Sequence, residues 1–157
     1  MGATLRFARP DDIPEIERLL AAEWLPPMAI TEFLDSFWVI ESEGHVAGAA
    51  GVEIYGEAAV LRSVVVAPEL RGTGEGDHLV RTGVDYAREH GAKRVYLFTM
   101  HAAPFFARYG FEPVTTDEFE PAVRDSWQYV GLTERPEILK QMTPMRLIID
   151  RQRMASK

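Results

Sequence analysis

Apolar positions along the chain change their spacing several times, and each change marks an element. Thr4 to Pro10, "TLRFARP", alternates and predicts a strand. In "DDIPEIERLLAAEW", Ile13, Ile16, Leu19 and Leu20 share one helical face. Asp11 or Asp12 suits its N-cap and Pro14 its first turn. "LPPM" breaks that helix, and "AITEFLDS" fits a short second one. "FWVIES" and "HVAGAAGVEIY" read as strands joined by a turn at Glu43-Gly44. "EAAVLRSVVVAP" reads as the next strand, reached by a tight hairpin at Gly56-Glu57. The period turns helical again over "EGDHLVRTGVDYAREH", where Leu79, Val80, Gly83, Val84 and Ala87 share a face and Gly91 suits the C-cap. "KRVYLFTM" is short and largely apolar, as a strand inside a sheet should be. "AAPFFARY" predicts a turn or two of helix, "GFEPV" a strand, and "TPMRLIID" a last alternating strand. From Thr115 to Gln141 no period is legible.

This order predicts an α/β (α+β) fold, with a mixed sheet, antiparallel in its middle, flanked by helices. The domain is expected over residues 1–150, followed by a basic tail at 151–157, "RQRMASK". The 157 residues suit one domain with one core.

Composition changes this picture mainly by exclusion. The chain has no cysteine, which removes disulfides, zinc-thiolate sites and a covalent acetyl-cysteine intermediate. Its formal net charge is −7 and no basic stripe is present, so a nucleic-acid partner is not expected. No run approaches the roughly 18 apolar residues of a membrane span. The segment "MGATLRFARPDD" lacks the apolar core of a signal peptide. A cytoplasmic protein without a membrane partner is the expectation, as monomer or homodimer. No pair of its four histidines has metal-ligand spacing, so no metal is expected.

The candidate chemistry starts at "VVVAPELRGTGEGDHLV", Val64 to Val80. An apolar strand runs through a proline turn into Arg71, then into Gly72, Gly74 and Gly76 on alternate positions, then into the helix. First-turn amides have no partner inside a helix, and its dipole adds positive charge there. Glycines let a phosphate approach that backbone without a Cβ in the way. There is no Lys-Ser or Lys-Thr after the glycines, so this is not a Walker A loop. The spacing also departs from G-x-G-x-x-G.

Arg71-x-x-Gly74-x-Gly76 between a strand and a helix resembles the acetyl-CoA loop of the GNAT family of N-acetyltransferases. "APFFARYGFEPV" resembles the family's A-x-x-F-Y-x-x-x-G-F segment, and the element order matches over nearly the whole chain. The resemblance implies a central sheet splayed between the strands at 59–67 and 93–99. It implies that the backbone of Arg71, Gly72, Thr73, Gly74, Glu75 and Gly76 holds the pyrophosphate of acetyl-CoA. It also implies that Val64, Val65 and Val66 pair with the pantetheine arm. Thr99 stands where many members have Asn and is either a cofactor contact or a plain strand-end Thr. Phe106 stands where many members place a Tyr that protonates the leaving thiolate, and phenylalanine has no proton to give. Tyr109, three residues on, is a replacement acid or a packing residue. Within the family, "LRS" and "FFARYGF" are similar to acetyltransferases acting on amino acids or their analogues. These include the N-acetylglutamate synthase acetyltransferase domain and arsenic-resistance-associated enzymes.

Many members carry a Glu base on the strand before the glycine loop. By spacing it falls near Ala58 to Val60, where this chain has no carboxylate. Glu57 is adjacent, but Glu53 is the better candidate. If Tyr55 pairs with Ala58 across the hairpin, Arg62 lies one diagonal step from Glu53 on the same face. The two form either a structural ion pair or a catalytic set, with Arg62 on a substrate carboxylate and Glu53 on the amine. His101, at the end of "KRVYLFTM", is a base by chemistry or a surface histidine. The activity implied is acetyl transfer from acetyl-CoA to a primary amine of a small molecule, by direct attack in a ternary complex. A non-catalytic acyl-CoA sensor and an unrelated phosphate binder are the rival readings.

Overall fold

A computed structural model describes residues 2–27 and 29–149. The tail expected at 151–157 lies outside the described residues. Seven strands form one open sheet: β1 (Thr4–Phe7), β2 (Phe37–Ser42), β3 (His45–Tyr55), β4 (Ala58–Val66), β5 (Arg94–Thr99), β6 (Glu112–Pro113) and β7 (Thr143–Ile148). Their order across it is β1-β2-β3-β4-β5-β7-β6. The pairs β1·β2, β2·β3, β5·β7 and β6·β7 are antiparallel, and β4·β5 is parallel. The helices are α1 (Ile13–Ala22), α2 (Glu75–Glu89), α3 (Ala103–Ala107), α4 (Pro121–Arg124), α5 (Trp127–Thr133) and α6 (Pro136–Leu139). This is the mixed, mostly antiparallel, helix-flanked sheet that the sequence predicts. Two compact units divide the chain: Met1–Glu53 with Leu61–Asp85, and Ile54–Val60 with Tyr86–Lys157.

In the first unit the helical face of α1 behaves as its spacing requires. Ile16 and Leu20 are fully buried against Phe37, Val39, Val46, Ala49 and Val65, with Ile13 and Leu19 half-buried beside them. Asp12 precedes α1 as expected, but its carboxylate does not cap the helix. It accepts two hydrogen bonds from the Arg6 guanidinium (2.8 and 3.0 Å) and one from the Arg9 amide (2.7 Å). "AITEFLDS" forms a 3-10 turn over Thr31–Ser36 rather than an α-helix. The β2–β3 turn puts Glu43 and Gly44 at φ +53° and +83°, and Gly56 in the next hairpin takes φ +66°. The buried face of α2 includes Leu79, Val80 and Val84. Gly83 lets it come close to β4: a Cβ there would stand 2.7 Å from Leu61 Cδ1.

In the second unit, parallel pairing of β4 and β5 runs Ala58↔Arg94, Ala59↔Val95 and Val60↔Tyr96. Both strands continue beyond it, β4 to Val66 and β5 to Thr99. The expected strand "GFEPV" is cut to two residues: the Val114 amide still donates to the Pro144 carbonyl (3.0 Å), but Pro144 on β7 has no amide to return the bond. The illegible region from Thr115 to Gln141 holds a 3-10 turn at Thr116–Glu118 and the three short helices α4 to α6. Four to seven residues are too few to display a 3.6-residue period. Aromatic packing holds these helices instead. The rings of Phe98 and Tyr129 stack at 5.7 Å, and Phe119 sets its ring edge-on to those of Tyr96, Phe98 and Tyr129.

Candidate functional site

The glycine loop joins β4 to α2 within the first unit. A 3-10 turn at Pro68–Leu70 leads into it. Gly72 and Gly74 adopt φ +81° and +93°, a region that L-residues with a Cβ rarely occupy. A Cβ at either would find nothing within 4 Å, so both glycines border open space. The His78 amide donates to the Gly74 carbonyl (3.1 Å), the first rung of the helix. The amides of Glu75 and Gly76 therefore lie ahead of the intrahelical ladder. Of the other loop amides, that of Arg71 donates to Pro68 O (3.2 Å) and that of Thr73 to Leu70 O (3.2 Å). These two shape the turn, and the backbone of Gly72, Gly74, Glu75 and Gly76 is what could hold an anion. The Thr73 hydroxyl donates to the Leu70 carbonyl. The Arg71 guanidinium is half-exposed, donating to Glu23 Oε2 (2.7 Å) and, through Nε, to the Val66 carbonyl (3.3 Å). The Glu75 carboxylate lies 3.7 Å from His78 Nδ1.

Upstream in β4, Val65 packs into the α1 core while Val64 and Val66 are half-buried. Just before them, Ser63 takes φ +60° although it carries a Cβ. Its neighbour Arg62 donates from Nε to Ser63 Oγ (3.0 Å) and from Nη1 to Glu53 Oε2 (2.9 Å). The guanidinium carbon lies 5.3 Å from the Phe37 ring centroid. Both side chains of the Glu53–Arg62 pair are 0% exposed. The pairing across the hairpin is therefore present. At that burial neither side chain can touch a substrate in this conformation, and the geometry is that of a structural ion pair. Nothing in the sequence flagged the left-handed turn at Ser63. Almost every position of β4 is buried, so no alternation was available to slip phase at the bend.

The remaining candidates belong to the second unit. At the end of β5, Thr99 is buried, and its Oγ1 accepts the Ala102 amide (3.0 Å), tying down the entry to α3. His101 is exposed in the bend that follows. Phe106, on α3, is a core residue in edge-on contact with Phe105 and Phe111. Tyr109 lies beyond α3 in the turn, half-buried, with its ring 5.4 Å from that of Phe105.

Charge perturbation in this unit is concentrated on Glu120. Hydrogen bonds from Arg94 (2.6 and 3.2 Å) and from the Tyr96 hydroxyl (2.6 Å) converge on its carboxylate. The Arg94 bonds above all hold that carboxyl below the usual range, against desolvation pushing it up. Tyr96 is raised, first by burial and then by Glu120. Among the described residues no group of three or more His, Asp or Glu side chains could hold a metal ion. No helix among them is long and apolar enough to cross a membrane.

Residues 6–111 match the family model described as the acetyltransferase (GNAT) family. A Bacillus subtilis protein provisionally named a [ribosomal protein bS18]-alanine N-acetyltransferase is 28% identical over 71% of this chain and 82% of its own length. A Mycobacterium tuberculosis amino-acid acetyltransferase is 30% identical over 76% of this chain and 77% of its own. The chain also spans 22% to 31% of the length of longer curated amino-acid acetyltransferases. Among solved structures, a Mycobacterium tuberculosis protein in complex with CoA and NLQ superposes with a TM-score of 0.77 at 24% identity, covering 92% of this chain and 98% of that one.

Proposed function

The chain belongs to the acetyltransferase (GNAT) family, and from that premise we propose that it moves an acetyl group from acetyl-CoA to the primary amine of a small molecule, an amino acid or an analogue of one. The observation that carries this reading is the loop ahead of α2. Two glycines at positive φ, with open space where a Cβ would stand, lead into the first turn of a long helix. A pyrophosphate suits that cradle, because helix-end amides and the dipole favour negative charge. The residues that would hold it are Gly72, Gly74, Glu75 and Gly76 through the backbone. Arg71 would add a guanidinium that can fork onto phosphate oxygens in place of the single bond it now gives Glu23 Oε2. The backbone of Val64 to Val66 would take the extended arm by strand-like hydrogen bonds.

When bound, acetyl-CoA supplies an activated acetyl carbonyl with a thiolate as leaving group. The chain's own part is chiefly to hold both reactants in place, which replaces a bimolecular encounter. A backbone amide of Val64 to Val66 would donate to the carbonyl oxygen as it gains charge. His101, exposed at the end of β5, is the side chain we assign to take the proton lost by the amine. Glu53 is held in its buried ion pair with Arg62 and is not assigned the amine's proton. Phe106 cannot donate, and Tyr109 packs on Phe105, so water protonates the departing thiolate. Thr99 supports the bend before α3.

The amino-acid acceptor is supported by the Mycobacterium tuberculosis relative. The Bacillus subtilis relative points instead to an alanine of a ribosomal protein, so an acceptor panel should include a peptide with N-terminal alanine. A sensor that binds acyl-CoA without turnover is the second reading. It is favoured by the burial of Glu53 and by the lack of an acidic proton at Phe106.

Binding is tested through Gly76. Acetyl-CoA at 100 times its dissociation constant should stabilise the fold by about 2.7 kcal/mol. Gly76 lies inside α2, where a Val has no worse helix propensity than Gly. Gly76→Val should therefore melt close to the wild type without ligand and lose the ligand-induced shift. A full shift in this variant would remove the loop from the binding site.

A further inference from the structure

We propose that Arg62 is a positioning residue: with Glu53 it holds the left-handed turn at Ser63 that sets the course of the Val64–Val66 backbone. Ser63 is at φ +60°, which an L-residue keeps only when its surroundings impose it. Glycine would adopt that turn without steric cost, yet the chain carries serine there.

What imposes the turn is the Arg62 guanidinium, on which three strands converge. Nε donates to Ser63 Oγ (3.0 Å), within β4 itself. Nη1 donates to Glu53 Oε2 (2.9 Å), on β3. The guanidinium lies over the ring of Phe37, on β2. That ring has its place only because Gly51, its register partner on β3, lacks a Cβ, which would collide with it. A fully buried ion pair is a poor source of stability, since apolar residues of the same volume usually do as well. Its gain is directional: a planar fork fixes the positions of the groups it binds. Here one of those groups is the side chain of the strained residue.

The inference rests on the proposed function in one respect, that the Val64–Val66 backbone is what acetyl-CoA binds. Its test compares two mild variants at one position. Ser63→Ala keeps the Cβ and loses the Arg62 bond; Ser63→Gly loses both the bond and the need for it. CoA affinity is measured by titration calorimetry well below each melting temperature. Ser63→Ala should bind CoA about tenfold more weakly or worse, the order expected when a binding backbone is displaced. Ser63→Gly should stay within about threefold of the wild type, because glycine takes the turn unaided. The pairless variant Glu53→Gln/Arg62→Met should lose affinity as Ser63→Ala does and regain it when Ser63→Gly is added.

Equal affinity in Ser63→Ala and the wild type would overturn the proposal. So would a pairless variant that only melts lower while binding CoA normally, or one that Ser63→Gly fails to rescue. A ligand-free arm keeps the two readings separate. Amide exchange at Ser63 to Val66 should be about tenfold faster in the pairless variant, with Ile16 to Leu20 unchanged. If the wild type binds no CoA, the proposed function fails and this exchange result alone decides the role of Arg62: faster exchange confined to Ser63–Val66 upholds it, and unchanged exchange overturns it.

Discussion

Phe106 occupies the place where a tyrosine would have put an ionisable hydroxyl, and it is a buried core ring. Tyr109 has a hydroxyl, but it lies past the end of α3 with its ring on Phe105. If water protonates the leaving thiolate, Tyr109→Phe should keep turnover within a few-fold of the wild type, and Phe106→Tyr should gain little. A loss of about 10²-fold or more in Tyr109→Phe, the usual scale of a missing acid–base group, would make Tyr109 the acid. Steady-state kcat with saturating amine reads this directly. At this scale the sequence was partly legible. The facing of Glu53 and Arg62 follows from hairpin register alone, but their complete burial does not, because it depends on Phe37 and Gly51 from elsewhere in the sheet. Ser63 was not legible at all, since serine is no marker of a left-handed turn.

Elements were read best where they are long. The ten residues of α1 and the fifteen of α2 show a clear apolar face, and both form where the spacing puts them. The segment from Thr116 to Leu139 escaped because its short helices are fixed by partners distant in sequence. Glu120, just before α4, illustrates this. It joins α4 to β5 by accepting from Arg94 and Tyr96. Its carboxyl is depressed in the folded protein, so it binds its proton more weakly than in the unfolded chain. The stability it adds is therefore present above the ordinary carboxylate range and is lost as pH falls through the folded value. Glu120→Gln should cost about 1 kcal/mol at neutral pH, a melting point lower by roughly 2–4 °C. The gap from the wild type should close as pH is lowered below the ordinary carboxylate range. A gap that stays constant from neutral to acid pH would mean that charge plays no part in holding α4.

For the whole molecule, the fold class follows from the order of elements along the chain, whereas the insertion of β7 between β5 and β6 is seen only in the structure. The two compact units divide β4 after Val60, where the register with β5 also ends. The proposed binding backbone, Val64 to Gly76, lies in β4 and the loop ahead of α2, whereas His101 and Tyr109 lie after β5 in the sequence. Binding and turnover are thus separable by mutation. Loop variants should abolish both, whereas His101→Ala should leave acetyl-CoA stabilisation intact and lower kcat by about 10²-fold. The most direct test of the central claim is to mix the wild-type protein and acetyl-CoA with a panel of amino acids, simple amines and a peptide with N-terminal alanine, following free thiol and acetylated amine together. Thiol release that depends on a particular amine, matched mole for mole by its N-acetyl product, is the predicted result. Tight acetyl-CoA binding with no amine-dependent thiol release across the panel would contradict it and leave the chain a sensor.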